Sequence, residues 1–247
     1  LAQKLKVGAV SYLNTKPLIY GFEQGEMKDD VELVLDYPSK IAQMLLDDEI
    51  DIGLVPVAII PELKQHHIIS RYGIACDGEV ASVCLFSDVP IGEIKTVLLD
   101  YQSKTSVMLL QVLLKEFWII SPTLIFAEKG YENQIKGEVA GLVIGDRAFQ
   151  QAKKSIYKYD LGLAWKQHTG LPFIFAAWIS NKKIEKKIIQ QFEKANSLGL
   201  LHIDEVIKAN ENSINLKIYY TQNIKFEFTR EMSEVIRLFL NKINNLI

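Results

Sequence analysis

The chain has 247 residues, 49% of them hydrophobic and 23% charged, with 28 Lys+Arg against 30 Asp+Glu for a formal charge of -2. That length supports one large domain or two small ones with a substantial core, and excludes a disulfide miniprotein, a disordered tail and a fibrous repeat. The charge balance, with only four arginines (Arg71, Arg147, Arg230, Arg237), gives no basic footprint for nucleic acid and leaves room for a small anion. No run approaches the ~18–20 apolar residues that span a bilayer, so no membrane role is expected. Leu1 to Lys6 lead straight into a strand pattern rather than a signal peptide, which favours the cytoplasm, although a trimmed leader would leave the same sequence. Cys76 and Cys84 have no His or Cys at metal-ligand spacing around them, so no metal site is expected and buried free thiols are.

In chain order, Leu5–Val10 is an apolar strand followed by Ser11-Tyr12-Leu13-Asn14-Thr15-Lys16-Pro17, a loop whose side-chain oxygens and proline announce a helix. Residues 31–35 alternate as a strand, and Pro38-Ser39 open a helix with Ile41, Met44 and Leu45 on one face. Residues 50–57 form a third strand. Strand alternating with helix at this spacing predicts a parallel α/β sheet. Residues 68–75 and 80–86 read as strands, and the turn Ser87-Asp88-Val89-Pro90 is the expected crossing between two lobes. The rhythm restarts with a strand over 96–99, a capping loop Ser103-Lys104-Thr105-Ser106, and a helix over 107–117 apolar on most of its circumference. Further strands fall at 124–127 and 141–144, with Asp146 expected as N-cap of a helix over 147–153. Residues 173–179 form a last strand. Helices follow over 182–200 and 229–243, the latter with Met232, Val235, Ile236, Phe239 and Ile243 on one stripe behind a Thr229 cap.

There is no Gly-x-Gly-x-x-Gly, P-loop, Gly-x-Ser-x-Gly or His-Glu-x-x-His in the chain, which leaves nucleotide, α/β-hydrolase and zinc-peptidase readings without support. His66, His67, His168 and His202 sit in no catalytic pattern. What stands out is a set of strand-end loops rich in hydroxyl and amide groups: Ser11/Asn14/Thr15, Thr105/Ser106 and Gly145/Asp146. In open α/β sheets ligands bind beyond the carboxyl ends of the strands, where helix N-termini offer N–H donors and partial positive charge. For any single one of these hydroxyls plain helix capping is the commoner explanation. From pattern alone the chain is an α/β protein suited to a small anion.

Several segments also resemble, in order, the motifs of the chorismate dehydratases that open the futalosine route to menaquinone. Ser11-Tyr12-Leu13-Asn14-Thr15-Lys16-Pro17 is similar to their Ser-Tyr-Leu-Asn-Thr-x-Pro, Asp51-Ile52-Gly53-Leu54-Val55-Pro56 to a second strand-end motif, and Gly78-Glu79-Val80-Ala81-Ser82-Val83-Cys84-Leu85-Phe86-Ser87 to Gly-x-Val-x-Ser-Val-x-Leu-Phe-Ser. Ser103-Lys104-Thr105-Ser106-Val107, Ile144-Gly145-Asp146, and Tyr159-Asp160-Leu161-Gly162 with Trp165 and Thr169-Gly170-Leu171-Pro172-Phe173 continue the likeness, which covers residues 5–180 most firmly.

The resemblance implies a two-lobed α/β fold of the type II periplasmic-binding-protein kind with a ligand cleft between lobes. Lobe one would be residues 1–87 with 178–247, and lobe two 88–177. It implies a carbon–oxygen lyase (hydro-lyase) that removes water from chorismate, a small dianionic carboxylate, to give 3-[(1-carboxyvinyl)oxy]benzoate, with no metal and no organic cofactor. Asn14 would be the catalytic residue, and Ser11, Tyr12, Ser82, Thr105, Ser106, Gly145 and Asp146 would bind substrate. The same fold would also serve an exported solute-binding protein, a ligand-binding regulator, or the sister enzyme of the pathway acting on a cyclic nucleoside. The oligomeric state is left open.

Overall fold

A computed structural model describes residues 4–211, 214–229 and 232–246, with the backbone alone at 232 and 233. In chain order its elements are β1 (Leu5–Val10), a 3-10 turn (Leu13–Thr15), α1 (Lys16–Glu23), β2 (Val31–Asp36), α2 (Pro38–Leu46), β3 (Ile52–Pro56) and β4 (His67–Cys76). Then come β5 (Val83–Ser87), β6 (Thr96–Leu99), α3 (Lys104–Glu116), β7 (Thr123–Phe126), β8 (Val139–Ile144), α4 (Asp146–Gln151), β9 (Tyr157–Asp160) and α5 (Leu161–Thr169). The chain continues through β10 (Phe173–Ser180), α6 (Lys186–Leu201), α7 (Ile203–Ala209), the short α8 (Leu216–Ile218) running into a π turn, β11 (Lys225–Glu227) and α9 (Met232–Asn244).

These elements form two compact units, residues 1–75 with 174–231 and residues 76–173 with 232–247. The first holds a six-stranded sheet in the order β11-β4-β10-β3-β1-β2. β1 runs parallel to β2 and β3, as the βαβ rhythm predicts, while β10 returns antiparallel to β3. Pro17 and Pro38 stand in the first turn of α1 and α2, where a missing N–H costs no hydrogen bond. Helices α1 and α6 cross backbone to backbone: a Cβ on Gly21 would lie 2.2 Å from the Ala195 carbonyl oxygen, and one on Gly199 would lie 2.0 Å from that of Pro17. Beneath them buried Trp178 donates its indole N–H to Asn196 at 2.7 Å, and the Asn196 amide donates to the Phe192 carbonyl at 2.8 Å. Both polar ends of that buried amide are thus satisfied.

The second unit holds a five-stranded sheet in the order β7-β6-β8-β5-β9. β6 runs parallel to β7 and β8, and β5 antiparallel to β8 and β9. Its core includes Trp165, Phe173 and Phe239 in edge-to-face contact at 4.9–6.1 Å, a geometry that suits aromatic quadrupoles. The Glu116 carboxylate accepts from His168 at 3.1 Å and from Lys242, tying α3 to α5 and α9.

Three sequence expectations differ from this arrangement. The chain passes between units after Ala75 and Phe173 rather than near Ser87 and Trp178, because β5 pairs on both sides within the second sheet. α9 belongs to the second unit, since its Val235, Ile236, Phe239 and Ile243 are buried and Phe239 meets Trp165. Gly145, not Asp146, caps α4: its φ of 61° and ψ of -148° lie where a side chain is strained, and Asp146 is the first helical residue. The Thr229 cap turns on residues 230 and 231, which lie outside the described residues, as does the side chain of Met232.

Candidate functional site

In the first unit the candidate residues occupy the loop that leaves the carboxyl end of β1. Ser11 donates its N–H to the Asp36 carbonyl at 3.0 Å, which pins the loop to the end of β2. Tyr12 is extended, and the 3-10 turn closes with the Thr15 N–H on the Tyr12 carbonyl at 3.1 Å. Asn14 Oδ1 accepts from the buried Thr15 hydroxyl at 3.3 Å, which sets the plane of the amide, and Tyr220 donates to the Leu13 carbonyl at 2.9 Å. Neither N-cap residue, Tyr12 of the 3-10 turn or Thr15 of α1, makes a side-chain capping hydrogen bond. The capping explanation for Ser11, Asn14 and Thr15 therefore fails, and Ser11 is exposed while Tyr12 and Asn14 are half-buried.

In the second unit the mixed sheet brings several chain ends to one edge. Val83 pairs with Ile144 and Cys84 with Asp160, so the start of β5, the end of β8 and the end of β9 lie side by side. Two expected residues meet there directly: the Gly145 N–H donates to the Ser82 carbonyl at 2.8 Å. Thr105 and Ser106 lie in the first turn of α3, behind β6, where Ser103 is the N-cap: its Oγ accepts the Ser106 N–H at 3.3 Å and lies 3.0 Å from the Ser106 hydroxyl. Here capping is real, and Ser103 is the residue responsible. Ser82, Thr105, Ser106 and Gly145 are buried and Asp146 is half-buried.

Sequence reasoning missed two supports of this edge. Asp160 accepts N–H groups from Val80 at 3.1 Å, Ala81 at 2.7 Å and Leu163 at 3.0 Å, so one carboxylate caps α5 and holds the approach to Ser82. Burial pushes its pKa up, and the three N–H donors oppose that shift. The Cys84 thiol donates to Asp160 at 3.6 Å, and burial raises the pKa of both thiols, which are free and buried as the sequence suggested. The second support is Arg147, one residue beyond Asp146. It reaches Asp100 and Gln102 at 2.5 Å and Glu132 at 2.6 Å, while the Tyr131 hydroxyl donates to Asp100 at 2.8 Å. Burial raises the Asp100 pKa against the pull of Arg147; for Arg147 burial acts downward, but Asp100 and Glu132 outweigh it and push its pKa up. The guanidinium thereby joins the loop after β6 to the loop after β8, its charge engaged by carboxylates of the chain itself. Among the described residues no group of three or more His, Cys, Asp or Glu side chains is placed to hold a metal ion, and no helix is long and apolar enough to cross a membrane.

The profile of a protein family described as Menaquinone biosynthesis matches residues 5–245. The chain belongs to that family. A chorismate dehydratase of Thermus thermophilus is 27% identical over 223 residues, covering 82% of either chain. A chorismate dehydratase of Campylobacter jejuni is 25% identical over 194 residues, covering 76% of this chain and 73% of its own. Among solved structures, protein AF1704 from Archaeoglobus fulgidus aligns with a TM-score of 0.77 at 12% identity, covering 100% of this chain and 99% of that one. The periplasmic aliphatic sulphonate binding protein SsuA from Escherichia coli aligns with a TM-score of 0.64 at 15% identity, covering 100% and 89%. A Candida albicans protein described as having the generic periplasmic binding protein fold gives 0.63 at 13%, covering 99% and 90%. The fold of this family member is accordingly periplasmic-binding-protein-like, built from two mixed α/β sheets, as the resemblance implied.

Proposed function

We propose that the chain is a chorismate dehydratase, a hydro-lyase acting in the cytoplasm on the path to menaquinone. The observation that carries this is the likeness to the Thermus thermophilus dehydratase over 82% of both chains, within a family profile that spans residues 5–245. The fold by itself would suit a solute-binding protein equally, so the family and not the fold decides.

In this reaction a proton leaves the ring carbon that bears the enolpyruvyl ether, the C–H electron pair forms the new ring double bond, and hydroxide leaves the neighbouring carbon. Water and an aromatic product result, and aromatisation supplies the driving force. The protein has to hold a dianion and assist the movement of one proton. Asn14 is the catalytic residue. A neutral amide is no base, so it orients the substrate and polarises the departing hydroxyl by hydrogen bonding. Ser11, Tyr12, Ser82, Thr105, Ser106 and Gly145 bind substrate through hydroxyl and backbone N–H groups. Asp146 belongs to the same set, placing the first turn of α4. The proton acceptor is one of the substrate's own carboxylates, held at reacting distance.

The test is to incubate the protein with chorismate and follow the products by chromatography with mass detection. Protein-dependent loss of 18 mass units, yielding an aromatic product, is expected, and Asn14→Ala should lower turnover by about 10²-fold, as loss of one such hydrogen bond does elsewhere. Unchanged chorismate would refute the activity, and full turnover by Asn14→Ala would refute its role.

A further inference from the structure

β7 is an edge strand of the second sheet. Thr123 and Ala127 donate their N–H groups inward, to the carbonyls of Lys95 and Leu99 at 2.8 and 3.0 Å. Because a strand alternates, the N–H and C=O groups of Leu124 and Phe126 point outward to the open edge. Such edges usually carry a charge, a proline or a bulge that discourages pairing. β7 reads Thr-Leu-Ile-Phe, and all four residues are exposed. Beside it lies a groove of about 430 Å³ lined by Leu114, Lys115, Ile119, Ile120, Pro122 and Leu124.

We propose that β7 is a dimer interface, at which two copies of this chain pair their β7 strands antiparallel about a two-fold axis at Ile125. An axis perpendicular to the sheet sets Ile125 against its own counterpart and Leu124 against Phe126 of the second copy. Leu124 and Phe126 are the residues whose backbone groups face outward, so each such pair exchanges two hydrogen bonds. Moving the axis to Leu124 would set Pro122, which has no N–H, opposite Phe126; moving it to Phe126 would set Glu128 opposite Leu124. The Ile125 register alone gives both outward-facing residues of β7, Leu124 and Phe126, apolar partners that carry an N–H. It also lays each Phe126 against Leu124 at the other copy's groove, and brings Glu128 opposite Pro122, at the lip where Lys115 supplies the opposite charge.

The area is adequate. Ile119, Leu124, Ile125 and Phe126 are 80%, 37%, 47% and 76% exposed. At ~200 Å² for a large apolar side chain these fractions give roughly 500 Å² per copy and about 1,000 Å² for the pair, the size at which specific interfaces begin.

Sedimentation velocity over a concentration series tests the proposal. The wild type should show a dimer whose fraction rises with concentration, and Ile125→Lys, which opposes two ammonium groups at the axis, should be monomeric with an unchanged circular dichroism spectrum. Ile125→Cys should cross-link in high yield on mild oxidation, because a non-hydrogen-bonded antiparallel pair sets its Cα atoms ~4.5 Å apart, within disulfide reach. Leu124→Cys, which faces Phe126, should not. A wild type that stays monomeric throughout, or a dimer untouched by Ile125→Lys, overturns the interface; if Ile125→Lys does not fold, the Ile125→Cys yield decides. Equal cross-linking of Leu124→Cys overturns the register.

Discussion

Oδ2 of Asp160 lies 2.7 Å from the amide nitrogen of Ala81. Ala81 turns the chain through left-handed space at φ 65°, one residue before Ser82. A residue with a Cβ costs about 1–2 kcal/mol there, and the buried carboxylate offsets that cost while it also accepts from Val80 and Leu163. Asp160 is a positioning residue for the Ser82 loop.

Asp160→Asn tests this role. An amide keeps one acceptor oxygen and turns an N–H donor toward at least one backbone N–H, so the second unit should lose about 2 kcal/mol, within the range for an unmet hydrogen bond to a charged group. Urea unfolding measures that loss. If the Ser82 loop binds substrate, the KM for chorismate should rise further than kcat falls, and Ala81→Gly, which removes the left-handed strain, should restore part of the stability in the double variant.

Arg147→Met should be more damaging than its half-buried position suggests. It leaves the buried Asp100 carboxylate without its cation and should cost about 3 kcal/mol. The double variant Arg147→Met with Asp100→Asn should recover part of this, since the penalty lies in the stranded charge. A denaturation cycle across the four proteins gives the coupling, and strictly additive losses would contradict the pairing.

The Ser103 cap can be separated from substrate contact. Ser103→Ala should destabilise the second unit by about 1 kcal/mol. Ser103→Asp, which can still accept the Ser106 N–H, should restore the melting temperature. Loss of the Ser106 N–H bond without loss of stability in calorimetry would show that the cap does not hold α3.

Acid sensitivity of the second unit should pass through Glu116. Burial acts to raise the Glu116 pKa, but hydrogen bonds from Lys242 and His168 outweigh it and hold the carboxyl below the usual range. A carboxyl whose pKa is lower folded than unfolded adds stability that is fully present above the unfolded pKa and is lost as pH falls through the folded one. Glu116→Gln should therefore cost about 1 kcal/mol at neutral pH, and the two melting curves should converge below pH ~4.3. Parallel curves at all pH values would exclude the mechanism.

Much of this architecture is legible in local sequence. The apolar runs of β1, β3, β6 and β8 and the first-turn prolines of α1 and α2 carry their own signals, because burial on both faces and a fixed φ are properties of short segments. The candidate loops after β1 and β8 are legible for the same reason. β9 is not: Tyr-Lys-Tyr-Asp alternates, but over four residues the period is too short to stand out without the pairing that β5 supplies. Nor is the passage between units after Ala75, since β4 reads as one unbroken strand across it, from His67 to Cys76. The pairs Asp100–Arg147 and Ala81–Asp160 join residues 47 and 79 positions apart, a relation that no spacing rule contains.

Membership of α9 in the second unit bears on how the chain is made. The segment 174–231 that precedes it belongs to the first unit, so that unit has all its strands and helices once residue 231 has been added. The second unit begins later, at residue 76, and has all five strands of its sheet by residue 160, yet it keeps Trp165 and Phe173 without their aromatic neighbour until Phe239 has emerged. The sheet whose strands are complete first is therefore the one whose core closes last, and an arrest between residues 231 and 239 would release one finished unit and one with an open apolar face.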